Sequence, residues 1–411
     1  MSDNQVAEKK VGKSALLLIF LTVFIDLLGF GIIIPILPQC AVQFGADAQT
    51  VGMLVMSYSL MQFFLTPFWG RLSDNVGRRP ILMVSLAASA IGYLIWGFAT
   101  TLPLLFVSRI VAGAGNANIA VAQAYISDVT TPENRARGMG MIGAAFGLGF
   151  TLGPAIGGAL SVFGIQAVGY AAAVFSGLAF LLACFALPEP EKRSQAGHER
   201  YKVEPGFYFK TLADSTLNTS LFIFFLSTFA FANMEATLAL LAVKWYQFDR
   251  AQMSWLFTFI GFVMVFVQGG LIGRLSKKCA EGQLIGVGAL FVMAGLLCTA
   301  LWRSVTGLYV AMALLAIGTS IINPSNQSLT SKLADPEKVG GVLGVGQSLS
   351  TLGRVLGPIA GTVAFQQLGV EFPYYVGAGV MFVVLMLSFG LPKIGKEKND
   401  QANSEPAKAG T

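Results

Sequence analysis

The chain has 411 residues, of which 55% are hydrophobic and 12% charged, with 32 Phe and a formal net charge of +6. A water-soluble domain carries about a quarter charged residues, so this share excludes a soluble globular enzyme; the same numbers exclude a disordered, collagen-like or disulfide-stapled chain. A polytopic membrane protein remains, and its basic excess is then read from where the charges sit, not as a signal for nucleic acid.

A helix crossing ~30 Å of hydrocarbon needs about 20 mostly apolar residues. Windows of that kind predict twelve spans, at 15–37, 51–69, 80–99, 104–125, 139–161, 167–187, 218–243, 252–272, 284–302, 307–327, 341–365 and 373–391. The first is too long for a signal-peptide core and is expected to be retained as a span. With both termini on one side, that side holds 22 of the 27 Lys and Arg residues; Lys244, Arg250 and Arg303 fall opposite, and Arg109 and Arg354 fall within spans. The positive-inside rule then puts both termini in the cytoplasm. The longest connection divides the spans six and six. The expected organisation is all-α: an N-terminal six-helix bundle over 1–188, a cytoplasmic linker over 189–216, a C-terminal six-helix bundle over 217–392 and a polar, disordered tail over 393–411.

The halves echo each other. Gly70-Arg71-Leu72-Ser73 recurs as Gly273-Arg274-Leu275-Ser276, Pro132-Glu133 as Pro336-Glu337, and Leu152-Gly153-Pro154 as Leu356-Gly357-Pro358, at offsets of 203 or 204 residues. A duplicated six-helix unit in one orientation implies two bundles related by a pseudo-two-fold axis, with a substrate site between them near the midplane.

Cys40, Cys184, Cys279 and Cys298 have no metal or disulfide spacing and read as small apolar residues in packed helices; His198 lies in a charged loop. No metal and no cofactor is expected. The run 138–143 spells G-x-G-x-x-G but follows no strand, and no G-x-x-x-x-G-K-[ST] is present, so no nucleotide site is encoded.

Polar residues inside spans carry the functional reading. Asp26 lies about 17 Å into the first span at 1.5 Å per residue, close to mid-membrane. It is read as a proton carrier, the alternative being a structural carboxylate paired with an arginine. Arg109, Asn116 and Gln123 are spaced by seven and share one face of the fourth span. Arg109 is then a partner for Asp26, for an anionic group on a substrate, or for a structural ion pair. Glu235 in the seventh span is a second proton-coupling candidate or an interfacial residue, and Arg354 in the eleventh is equally open. Tyr58, Gln62, Asn116, Gln123, Asn233 and Asn323, with Asn326 and Gln327, are candidates to hydrogen-bond substrate. Gly143, Gly147, Gly149, Gly153, Gly157 and Gly158 around Pro154 allow close helix packing in the fifth span. Gly70 and Gly77 are expected to make a tight turn after the second span, with Arg78 and Arg79 facing anionic lipid.

Gly70-Arg-Leu-Ser-Asp-Asn-Val-Gly-Arg-Arg79 resembles the loop 2–3 signature of the major facilitator superfamily, and Gly147-Leu-Gly-Phe-Thr-Leu-Gly-Pro-Ala-Ile-Gly-Gly158 its antiporter signature. Asp26 to Pro38 resembles the first span of twelve-helix drug:proton antiporters. Ser108-Arg109-Ile-Val-Ala-Gly113 with Ala124-Tyr125-Ile126-Ser127-Asp128 resembles the fourth span of tetracycline efflux proteins. The resemblance implies proton coupling through Arg109. It also implies that Asp74 docks at the start of the eleventh helix, near Gly340 and Gly341, as a latch formed with Gly70, Gly77, Arg78 and Arg79. The fifth span would pack across the halves. Tetracycline exporters also carry an intramembrane histidine and a ninth-span acid; the expected eighth and ninth spans contain no His, Asp or Glu, which argues against tetracycline as substrate.

The expected function is a proton-coupled antiporter that exports amphiphilic drug-like or metabolite compounds by alternating access. Its partners would be a small-molecule substrate, protons and membrane lipid, with no nucleic acid. A monomer in a bacterial inner membrane is expected. A lipid or lysolipid translocator on the same fold, or a non-transporting receptor or scaffold, are the alternatives.

Overall fold

The computed structural model describes residues 3–130, 132–190, 207–335 and 339–392, and among these every regular element is a helix. The first half of the chain forms α1 (Asp3–Ile33), α2 (Leu37–Gln43), α3 (Ala48–Val76), α4 (Arg78–Gly97), α5 (Leu102–Gly115), α6 (Ile119–Val129), α7 (Pro132–Ser161) and α8 (Ile165–Phe185). The second forms α9 (Phe207–Ala213), α10 (Asn218–Tyr246), α11 (Arg250–Phe266), α12 (Ile272–Lys278), α13 (Glu281–Leu301), α14 (Val305–Leu333), α15 (Val339–Gln367) and α16 (Phe372–Phe389). A 3-10 turn at Asn116–Asn118 joins α5 to α6, and a π turn at Val267–Leu271 joins α11 to α12, so each pair is one interrupted span.

Ten segments among the described residues are long and apolar enough to cross a membrane. α7 and α15, of 30 and 29 residues, complete a twelve-helix membrane fold. The expected linker contributes the short helix α9. His198 and most of that linker, together with the tail, lie outside the described residues.

The helix ends differ from the windows for local reasons. α1 stops at Ile33 because Pro35 and Pro38 follow, and α2 restarts with proline in its first turn. α3 runs on to Val76, so Gly70 sits inside a helix and the turn is made by Gly77 alone, at φ 118°. Only glycine adopts that conformation without strain.

The repeat is visible as repeated local chemistry. Ser73 Oγ donates to the Gly70 carbonyl at 2.6 Å, and Ser276 Oγ donates to the Gly273 carbonyl at 3.4 Å. Gly153 presses on α1, where an added Cβ would lie 2.6 Å from the Gly31 carbonyl carbon; at Gly357 the Cβ would lie 2.7 Å from the Phe229 carbonyl on α10. The same small residue lets the same pair of helices approach in each half.

By backbone contacts the described residues form two compact units. One draws on Met1–Arg200, Glu235–Phe262 and Pro358–Gly369; the other draws on Tyr201–Met234, Val263–Gly357 and Val370–Thr411. The first has two apolar clusters. Ile19, Val23 and Leu27 of α1 join one with Leu86, Tyr125 and Ala179, and Ile32, Ile33 and Ile36 join another with Leu54, Trp96 and Val168. Asp26 falls where α1 passes from one to the other.

Candidate functional site

The site is built on the interruption of the fourth span. Gly113 and Gly115 carry no Cβ, and one there would overlap Tyr58 on α3 and Ser89 on α4. The 3-10 turn releases carbonyls that a continuous helix would satisfy. Side chains of neighbouring helices take them: Trp69 Nε1 donates to the Ala114 carbonyl at 2.8 Å, Ser85 Oγ to that of Gly115, and Gln62 Nε2 to that of Asn116 at 3.1 Å. Gln62 Nε2 also reaches Asn116 Oδ1 at 3.1 Å, which fixes the amide so that its nitrogen points toward α1.

Asp26, 1% exposed, receives that nitrogen. Its Oδ2 accepts from Asn116 Nδ2 at 2.9 Å and from Asn118 Nδ2 at 3.1 Å, and its Oδ1 accepts from Ser176 Oγ of α8 at 2.7 Å. Three neutral donors therefore hold a carboxylate that has no cationic partner among the described residues. Burying a charge this way is costly unless it is fully hydrogen-bonded.

Arg109, 2% exposed, is not bonded to Asp26. Its guanidinium carbon sits 5.0 Å from the Trp96 ring centre and 5.6 Å from those of Tyr58 and Tyr93; Nε and Nη2 have no hydrogen-bond acceptor. Aromatic faces stabilise a desolvated guanidinium electrostatically, and Tyr58 is itself stacked on Phe30 at 4.9 Å. Gln123 lies beyond the 3-10 turn. It is half-buried on α6, outside the Asp26 network among the described residues.

The structure thus brings Asp26, Arg109, Tyr58, Gln62 and Asn116 together in one unit. In the second half of the chain, Asn233 donates to the Pro373 carbonyl at 2.7 Å, at the start of α16. Asn326 exchanges hydrogen bonds with Ser220 at 2.9 and 3.0 Å, with Thr330 beside them. Asn323 and Gln327 are exposed; Glu235 and Arg354 are half-buried. The ninth helix does carry an acid: α13 begins at Glu281, just ahead of the predicted window. Glu281 is buried and accepts from Lys332, and from Ser328 at 3.2 Å.

Arg78 and Arg79, expected to face anionic lipid, are both engaged by protein partners. Arg78 forms ion pairs with Asp74 at 2.7 Å and Asp128 at 2.8 Å and donates to Ser73 Oγ at 2.7 Å. Arg79 donates to the carbonyls of Ala183, at 3.1 Å, and Cys184, the last turn of α8, where a cation also meets the negative helix end. The first two backbone N–H groups of α4 are taken by Glu189, from Arg78 at 2.7 Å and Arg79 at 2.9 Å. The dock expected for Asp74 adjoins residues 336–338, outside the described residues.

In the fifth span, α7, an added Cβ at Gly149 would crowd Leu27 at 3.0 Å, one at Gly157 would overlap the Ile32 carbonyl, and one at Gly158 would overlap Ser254 on α11. Pro154 lies within α7, and the side-chain surroundings of Gly143 and Gly147 lie outside what is described.

Sequence reasoning missed Ser176, Asn118, Tyr93, Trp96 and Glu189. Ser176 left a signal: it stands on one stripe of α8 with Ala172, Ala179 and Ala183, a lone hydroxyl on a buried small-residue face.

The comparisons with known proteins agree with this architecture. The family model of the Major Facilitator Superfamily matches residues 19–232 and 220–411. The class C tetracycline resistance protein of Escherichia coli is 32% identical over 386 residues, covering 90% of this chain and 96% of that protein. Multidrug resistance protein 2 of Bacillus subtilis (strain 168) is 26% identical over 397 residues, covering 95% and 97%. The crystal structure of the human organic anion transporter MFSD10 (TETRAN) matches with a TM-score of 0.72 at 25% identity, over 92% of this chain and 99% of that one. Twelve long helices, a duplicated half and matches over nearly all of the chain give one conclusion: this multi-pass membrane protein belongs to the Major Facilitator Superfamily of transporters.

Proposed function

We propose that this transporter is a proton-coupled antiporter that moves amphiphilic organic compounds, with Asp26 as its proton carrier. The observation that carries the reading is a membrane-buried carboxylate held by Asn116, Asn118 and Ser176 with no cationic partner in its hydrogen-bonded shell. A carboxylate locked to an arginine has little reason to take a proton; one held by neutral donors can trade its charge for a proton without stranding a cation. A proton moving down a gradient supplies about 1.4 kcal/mol per pH unit and about 2.3 kcal/mol per 100 mV, enough to drive an uphill exchange. Arg109 offers Nε and Nη2, which carry three unpaired N–H bonds, in an aromatic cage, and this favours cargo bearing an anionic group. The likeness to human MFSD10, an organic anion transporter, points the same way. The basic asymmetry of the loops supports cytoplasmic termini, in a bacterial inner membrane.

A second reading, lipid translocation on the same fold, has one observation in its favour. Phe64, Pro67, Phe68 and Leu72 form an exposed apolar stripe along α3 that also carries Arg71 and Asn75, a surface suited to an acyl chain with a charged head. The test is a panel of organic anions and neutral amphiphiles applied to proteoliposomes holding an imposed pH gradient. A compound that collapses the gradient with wild type and not with Asp26→Asn supports antiport. Movement of a labelled lipid with no effect on the gradient in either protein would replace it with the second reading.

A further inference from the structure

Ser176 stands out as a buried polar group that no motif predicted and whose chemistry differs from that of Asp26's other two partners. Asn116 and Asn118 present amide nitrogens, which only donate. Both go to Oδ2, and the Asn116 amide cannot turn over, because Gln62 holds its oxygen. A protonated Asp26 needs an acceptor for its new O–H; of the two partners held in place, the Asn116 amide is fixed and the Ser176 hydroxyl can reverse its role without exchanging ends, as the Asn118 amide would have to.

We infer that Ser176 is the residue that lets Asp26 change protonation state: the proton enters on Oδ1, and the Ser176 hydroxyl turns from donor to acceptor to receive it. The inference rests on the proton-carrier reading of Asp26. The step balances in atoms and charge. With Asp26 ionised, Ser176 O–H points at Oδ1. A proton from the aqueous pathway forms a bond to Oδ1, and the carboxylate becomes a neutral acid. The Ser176 side chain turns so that its O–H leaves Oδ1 for a carbonyl of the preceding turn of α8, where Ala172 stands four residues earlier, a common bond for a helical serine. A lone pair of Ser176 Oγ then accepts the Asp26 O–H, and no covalent bond of the protein breaks.

The Ala172 carbonyl stands near the hydroxyl, unbonded to it while Ser176 donates to Asp26. A Cβ placed on Gly29 would lie 3.1 Å from the Ala172 carbonyl oxygen and 3.2 Å from Ser176 Oγ, so both atoms flank one point on α1, a turn from Asp26. The missing side chain at Gly29 lets α8 come close enough for the contact. The titratable groups facing Asp26 from surrounding helices are Tyr58 on α3 and Tyr93 on α4, with Arg109 of α5 against those rings. On α6, Tyr125 is held by the Pro188 carbonyl and Asp128 by Arg78. The titratable groups of α8 are Tyr170, packed against Phe98, and Cys184 in its last turn; the charged residues of α7 are confined to its first two turns.

Infrared difference spectra of the full chain in liposomes, taken between neutral and acidic pH, read the carboxylic C=O stretch of protonated Asp26. The band is expected in wild type and absent from Asp26→Asn. In Ser176→Ala it should move to higher wavenumber, as the acid loses its acceptor, while proton-driven transport falls about tenfold. Ser176→Thr, which keeps the hydroxyl, should restore both band and transport. A band and pH profile unchanged by Ser176→Ala would overturn the role of Ser176 and leave Asp26 as carrier. No titrating band in wild type would overturn both.

Discussion

Glu281 and Lys332 form the ion pair that Arg78 and Asp128 form in the first half of the chain, with the signs exchanged. The members are separated by 203 and 204 residues, the offsets that relate the repeated motifs. Each pair ties the start of one helix to the end of another, and Asp74, which adds a second carboxylate to Arg78, is answered in the repeat by Lys277. Duplication kept the tie and reversed its polarity.

Lys332→Asp should therefore destabilise the protein, because Glu281 is 8% exposed and would face a like charge. The cost should be about 2 kcal/mol, between the values for exposed and buried pairs. The double variant Glu281→Arg, Lys332→Asp copies the first-half polarity and should recover most of the loss. A double-mutant cycle of melting temperatures in detergent checks this.

Asn116→Ala removes one donor from Asp26 and leaves the buried Gln62 amide with one acceptor fewer. An unsatisfied buried group costs about 1–3 kcal/mol, so a lower melting temperature is expected together with weaker proton-driven transport. Gln123→Ala, outside that network, should leave stability within about 0.5 kcal/mol of wild type.

Glycine substitutions should separate close helix approach from open space. Gly153→Ala sets a methyl 2.6–2.9 Å from the backbone of Gly31 and Ile32 and must push α1 off α7. Gly177→Ala meets nothing within 4 Å and should be neutral or slightly stabilising through helix propensity. Expression and thermal stability of the two variants give the comparison directly.

Asp47 caps α3 and supplies a pH test. The Thr50 hydroxyl at 2.5 Å, the Thr50 backbone N–H at 2.9 Å and Gln366 at 3.1 Å hold its carboxyl below the usual carboxylate range. A carboxyl depressed in the folded state adds stability that is complete above its unfolded pKa and is lost as pH falls through the folded one. The difference in melting temperature between wild type and Asp47→Ala should be constant from pH 7 to about pH 4 and shrink with further acidification. A difference that grew in acid would contradict the cap.

How much of this was legible in the sequence follows from what each signal depends on. Twelve spans, the repeat and the burial of Asp26 and Arg109 within spans rest on composition and spacing, which hydrocarbon constrains strongly. The hydrogen-bonded shell of Asp26 depends on a local break of helix geometry at Asn116–Asn118, which a seven-residue spacing read along an unbroken helix does not reveal. Arg78 and Arg79 read as lipid-facing because their partners Asp128, Ala183 and Cys184 lie 50 to 105 residues away. Ser176 is one hydroxyl in an apolar helix, and only the approach of α1 at Gly29 gives it meaning.

The Glu189 cap has a consequence for biogenesis. α4 begins at residue 78, yet the carboxylate that satisfies its first N–H groups lies 111 positions further along the chain. While the third span enters the bilayer its first turn has no such partner, and a missing cap costs about 1 kcal/mol. The carboxylate arrives only once the sixth span has been threaded and the ribosome has moved beyond it. Closure of α4 by Glu189 thus marks the completion of the first six helices.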